Sequence, residues 1–267
     1  MPVNVTDLLY SLSPRAALAI AVGLSVALYA LAANLAEYGR QPHTGRLGNF
    51  LFWAETSWIA RAVGQLIRWL YYLGLPYATL MLGYNTARAL GVWNLDWLDT
   101  LPNAIGLAVG SAIVFLWVWR PYARTEHPHA LDVSRWNWAR HIVELIYQQA
   151  HWAFYRSGPV LWLGNYYLGS LAGLALAFVE GWTNPVVRAS ARDTTRADSP
   201  LWTGSLAVVS TILFIYTQNF WYCLALHLLL DLGLRRVIGF PHVAPAEEDM
   251  LPELDPDPLS AGEPIRE

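Results

Sequence analysis

The segment "HIVELIYQQAHWAFYR", residues 141–156, sets His141, Glu144, Gln148 and His151 at steps of three and four. On an α-helix that spacing gathers them into one polar stripe about 15 Å long. A second ladder, Asn219, Cys223, His227 and Asp231, recurs every fourth residue in "NFWYCLALHLLLD". Three chemistries suit these residue types. His151, His227 and Asp231, two imidazoles and a carboxylate, could hold a divalent metal such as zinc or iron. His151 and His227 on neighbouring helices could instead ligate haem or a pigment. Alternatively Glu144 or Glu180 could serve as general base on water, with Asp231 one turn from His227 to orient that imidazole and fix its tautomer.

A reading without chemistry stands beside these. Ionisable groups in hydrocarbon cost several kcal/mol unless paired or hydrated, so the stripe has to face protein, water or a ligand. Hydrogen bonds between membrane helices, worth roughly 0.6–2 kcal/mol each, would satisfy that demand alone.

The surrounding elements fix the setting. With 55% hydrophobic and 14% charged residues, 14 Trp and 14 Tyr, the chain has the composition of an integral membrane protein. Its 17 basic residues are all Arg, and a net charge of -3 offers no basic surface for nucleic acid. Cys223, the single cysteine, excludes an internal disulfide or a multi-cysteine metal site. Apolar runs near 16–36, 69–90, 102–119, 160–182 and 201–219 are long enough to cross about 30 Å of hydrocarbon, and a sixth, 221–238, is nearly as clear. The first is expected to be an uncleaved span rather than a signal peptide, since only Arg15 precedes a long apolar region.

Residues 137–156 decide the count. If they cross, Arg40, Arg46, Arg120, Arg124, Arg188, Arg192, Arg196, Arg235 and Arg236 all fall on one, cytoplasmic side, as the positive-inside rule asks. The expectation is therefore an all-α, polytopic transmembrane helix bundle of about seven spans (six to eight) over residues 1–240. Its N terminus lies outside and its tail inside, and membrane lipid is its first partner. With a turn at Gly158, His151, His227 and Asn165 would share one depth about 10 Å below the outer face.

Smaller features complete the reading. Residues 49–68 read as an interfacial amphipathic helix, with a crossing as the alternative. Residues 241–267 are acidic and proline-rich, an expected disordered tail. Gly169, Gly173 and Ala177 form a small-residue face suited to close helix packing. In "EHPHALD", Glu126, His127 and His129 read as solvated loop polarity.

Taken in order, "HWAFYR", "FVEGW" and "TQNFWYCLALHLLLD" resemble the three motif regions of the CPBP family (CAAX protease and bacteriocin-processing, also called ABI) over roughly residues 140–235. That family has a Glu-Glu pair followed by three residues and Arg, then Phe-x-x-x-His, then His-x-x-x-Asn or Asp. The third motif is kept as His227 and Asp231; the first keeps only Arg156, with His151 and Trp152 where the glutamates belong. The second keeps Phe178 but has Trp182 for histidine, with Glu180 nearby as a substitute. Ser157-Gly158-Pro159 is expected to break a helix that the family pattern would continue.

The resemblance implies a bacterial inner-membrane, multi-pass protein. With the first-motif glutamates missing, the leading expectation is a non-proteolytic member that acts through a membrane protein partner or a complex. An active intramembrane endopeptidase on a peptide substrate is the alternative, built on His227, Asp231, His151, Arg156 and Glu144 or Glu180. A subunit that ligates haem, pigment or metal through His151 and His227 is the third expectation.

Overall fold

A computed structural model describes residues 13–93, 95–123, 137–193 and 196–234. The described residues form helices and connecting turns, without a strand. In chain order the helices are α1 (Pro14–Gly39), α2 (Gly45–Thr56), α3 (Trp58–Trp69), α4 (Leu75–Met81), α5 (Ala87–Leu90) and α6 (Trp97–Ala123). There follow α7 (Asn137–Leu163), α8 (Tyr166–Thr183), α9 (Pro185–Arg192), α10 (Asp198–Thr217) and α11 (Phe220–Leu228). Two π-helical turns, Leu70–Gly74 and Leu229–Leu234, join α3 to α4 and extend α11. Among the described residues, three helices are long and apolar enough to cross a membrane: Pro14–Gly39, Trp97–Pro121 and Asp198–Thr217.

Helix ends follow local chemistry. Ser13 caps α1 through its hydroxyl on the Ala16 amide, with Pro14 in the first turn where its missing N–H costs nothing. Asn165, Asn184 and Asn219 cap α8, α9 and α11 in the same way. Gly164, at φ 62°, makes the tight turn between α7 and α8.

The centre of the bundle is α7, whose residues 151–160 are all buried. A helix buried on every side needs neighbours all round it. The α7–α8 hairpin is the closest pairing. A Cβ on Gly169 would lie 2.5 Å from the Val160 backbone, and one on Gly173 would lie 2.5 Å from Arg156 Cα. Only hydrogen fits there, which bears out the small-residue face read from Gly169 and Gly173. Leu18 and Val22 of α1 pack on Phe154 and Tyr155, while Trp202 and Phe214 of α10 join Trp152, Phe115 and Trp119.

Contacts also give the helix directions. Leu18 beside Phe154 and Tyr155, with Asn34 Nδ2 donating to the Thr183 carbonyl, runs α1 parallel to α8 and antiparallel to α7. Asp231 beside His141 and Phe220 beside Ala153 run α11 antiparallel to α7. Arg68 beside Glu144 and Leu75 beside the Phe154 cluster run α3–α4 parallel to α7.

Three boundaries differ from expectation. Residues 49–68 are divided between α2 and α3 by a break at Ser57, and α3 continues through the π turn to Met81. The expected span 69–90 is accordingly shifted: one continuous helical path covers 58–81, and 82–90 hold a turn and the short α5. The expected break at Ser157–Pro159 is absent, because α7 continues to Leu163 with Pro159 inside it. Tight packing of Gly158 on Val22 and Trp162 holds that stretch, and membrane helices tolerate an internal proline when neighbours support it. Residues 126–129 and 241–267 lie outside the described residues.

Candidate functional site

Three members of the stripe on α7, His141, Glu144 and His151, are paired with three other helices. Glu144 bonds Arg68 of α3 at the half-exposed end of the stripe. On the adjoining face His141 bonds Asp231 of the π-helical extension of α11. Deepest, His151 Nε2 lies 2.9 Å from Glu180 Oε1 of α8, with both side chains buried.

This last pair is the centre of a four-helix cluster. The Tyr71 hydroxyl donates to Glu180 Oε1 at 2.8 Å, stands 3.3 Å from His151 Nε2, and accepts from Ser25 Oγ at 3.0 Å. Tyr155 in turn donates to Ser25 Oγ at 3.3 Å. A carboxylate can only accept, so Glu180 requires the proton on Nε2 and leaves His151 Nδ1 buried without a partner. Around the imidazole, Tyr71, Tyr72 and Tyr155 rings stand 4.9, 5.1 and 4.3 Å away, centroid to centroid.

A second polar group lies on the other flank of α7, against α10 and α11. Gln149 Nε2 donates to Ser210 Oγ at 2.9 Å, and Gln149 Oε1 accepts from His227 Nδ1 at 3.4 Å. Arg156 Nη1 donates to the same Ser210 Oγ at 3.3 Å, and the guanidinium lies over the Phe214 ring at 4.5 Å. The His227 ring stacks flat on Trp152, centroids 5.2 Å apart and 2° from parallel. Below it, Asp231 Oδ1 accepts from Trp202 Nε1 at 2.6 Å.

The predicted site residues thus divide into separate groups. His151 meets Glu180, His227 meets Gln149 and Trp152, and Asp231 meets His141 and Trp202. Among the described residues no three histidine, cysteine, aspartate or glutamate side chains converge in a manner that could hold a metal, so His151, His227 and Asp231 do not form that set. Nor do His151 and His227 face one another for axial ligation: adjacent residues His151 and Trp152 point about 100° apart on the helix, and His227 sits on the Trp152 side. The expected equal depth of His151, His227 and Asn165 is lost with the turn at Gly158, since α7 turns at Gly164, six residues later. Asn165 is then a helix cap rather than a partner at depth. In "FVEGW" it is Glu180 that points inward; Phe178 and Trp182 are exposed.

Sequence reasoning missed Ser25, Tyr71, Gln149, Trp202 and Ser210. One physical signal marks two of the regions in retrospect. Tyr71 and Asp231 both sit on π-helical turns, which recur at functional sites because they swing a side chain off the regular helical register. Comparison with family models, with curated proteins and with solved structures finds no match for the chain.

Proposed function

We propose that the chain is a seven-crossing protein of a bacterial inner membrane, CPBP-like in helix arrangement, that does not cleave peptides and acts through a membrane protein partner. The crossings are α1, α3–α4, α6, α7, α8, α10 and α11 with its π-helical extension. In that arrangement the loops bearing Arg40, Arg46, Arg188, Arg192 and Arg196 share one end, which is the cytoplasmic one by the positive-inside rule. The C-terminal tail follows on that side.

Support for the CPBP-like reading comes from one turn of α7. His151 and Trp152, from the first motif region, meet Glu180 from the second and His227 from the third. The observation that carries the non-proteolytic reading is the flat stack of Trp152 on His227. General-base hydrolysis needs a water within reach of a carboxylate and a stabiliser facing the same scissile carbonyl. Here indole covers the His227 face, while Glu180 is already engaged by Tyr71 and His151.

A second reading, an intramembrane hydrolase with Glu180 as base, is favoured by the His151–Glu180 pair itself at 2.9 Å. One experiment separates the two: incubation of the lipid-reconstituted protein with fluorogenic membrane-spanning peptides, alongside native mass spectrometry of the wild-type protein taken directly from its membrane. The proposal expects no cleavage beyond that of Glu180→Gln, and a stoichiometric second membrane chain. Cleavage that Glu180→Gln abolishes would replace it with the hydrolase reading.

A further inference from the structure

The groups around Arg156 form a polar site that neither reading above uses. Arg156 is 1% exposed, and a guanidinium keeps its charge at any pH a protein survives. Among the described residues no carboxylate pairs with it; its Nη1 donates to Ser210 Oγ, and Nε and Nη2 have no partner. A buried cation held by one serine and one ring face is far short of what its desolvation demands. The nearby C-terminal end of α10 contributes a partial charge only.

We propose that Arg156, with Ser210 and Gln149, binds a small monovalent inorganic anion of the chloride class. Beside the Phe214 ring, the polar groups on this flank can present donors: Ser210 by its hydroxyl, Gln149 by its amide, and Arg156 by its unpartnered Nε and Nη2. The opposite flank is closed by Gly173, whose backbone abuts Arg156 so tightly that a Cβ would lie 2.9 Å from its Cγ. With Arg156 enclosed on every side, only a compact ion could be accommodated beside it. Position agrees, since Arg156 lies seven residues inside the Leu163 end of α7, about 10 Å deep. Charge balance at that depth calls for one negative charge, so a divalent oxyanion fits less well. The inference is independent of whether the protein cleaves peptides.

The test is thermal unfolding of the purified full chain in gluconate buffer, titrated with sodium bromide or chloride at constant ionic strength. Wild type is expected to gain Tm along a saturable curve, and Arg156→Gln to lose that dependence while Arg196→Gln, on the surface, keeps it. Should Arg156→Gln fail to fold, Ser210→Ala retains the charge and removes one donor; its half-saturating halide concentration is expected to rise several-fold. A wild-type Tm indifferent to halide, or an identical halide response in Ser210→Ala, would overturn the proposal in favour of a guanidinium satisfied by buried water.

Discussion

Replacing Gly173 by alanine tests the α7–α8 contact on which the His151–Glu180 pair depends. The added Cβ would stand 2.5 Å from Arg156 Cα and 2.8 Å from its backbone nitrogen. Carbon atoms rest about 3.5–4.0 Å apart, so the two helices have to separate by roughly 1 Å along their length. Overpacking of that kind costs about 1–3 kcal/mol, and neither clashing atom is a flexible side-chain end that could move aside. Gly181 on the same helix is the matched control. A Cβ there meets nothing within 4 Å, and alanine in a helix interior gains up to about 1 kcal/mol over glycine. Reversible unfolding in mixed micelles, followed by Trp fluorescence, should therefore destabilise Gly173→Ala by about 1–3 kcal/mol and leave Gly181→Ala neutral or slightly improved. Equal stability of the two variants would refute the backbone-to-backbone packing.

Further expectations concern the polar pairs. Tyr71→Phe removes the hydroxyl that serves Glu180 and Ser25 and should cost about 1–3 kcal/mol in the same unfolding assay. Arg68 and Glu144 keep 39% and 33% of their side chains exposed, so a double-mutant cycle should return a coupling below about 1 kcal/mol. That coupling should weaken with added salt. Asp231→Ala removes the acceptor of both His141 and Trp202 and should lose about 1–3 kcal/mol, with Asp231→Asn recovering part of it because the amide oxygen still accepts.

Much of the bundle was legible from periodicity. The stripe on α7 lies on one helix along the 3- and 4-residue steps, with His141 turned to the adjoining face, and Gly169 and Gly173 mark the close contact. The partner of His151 was less accessible. Ser157-Gly158-Pro159 reads locally as a helix end, yet packing on α1 and α8 carries α7 on to Leu163 and moves the turn by six residues, about 9 Å of axis. That displacement brings His151 to Glu180 rather than to His227. Ser25 and Tyr71 sit inside apolar runs where a lone hydroxyl carries no periodic signal, so tertiary contact alone reveals them. The π turn that presents Tyr71 is likewise set by packing, not by a residue pattern.

A double-mutant cycle across His151 and Glu180 tests the central claim, that the stripe on α7 binds helices together. Truncating either member of a buried hydrogen-bonded pair leaves the other unsatisfied, at about 1–3 kcal/mol. Unfolding free energies of His151→Ala, Glu180→Ala and the double variant are expected to be non-additive, the second truncation costing at least 1 kcal/mol less than it does alone, an order-of-magnitude figure for residues in contact. Single losses that simply add within about 0.5 kcal/mol would contradict the pairing and leave the two side chains as independent groups.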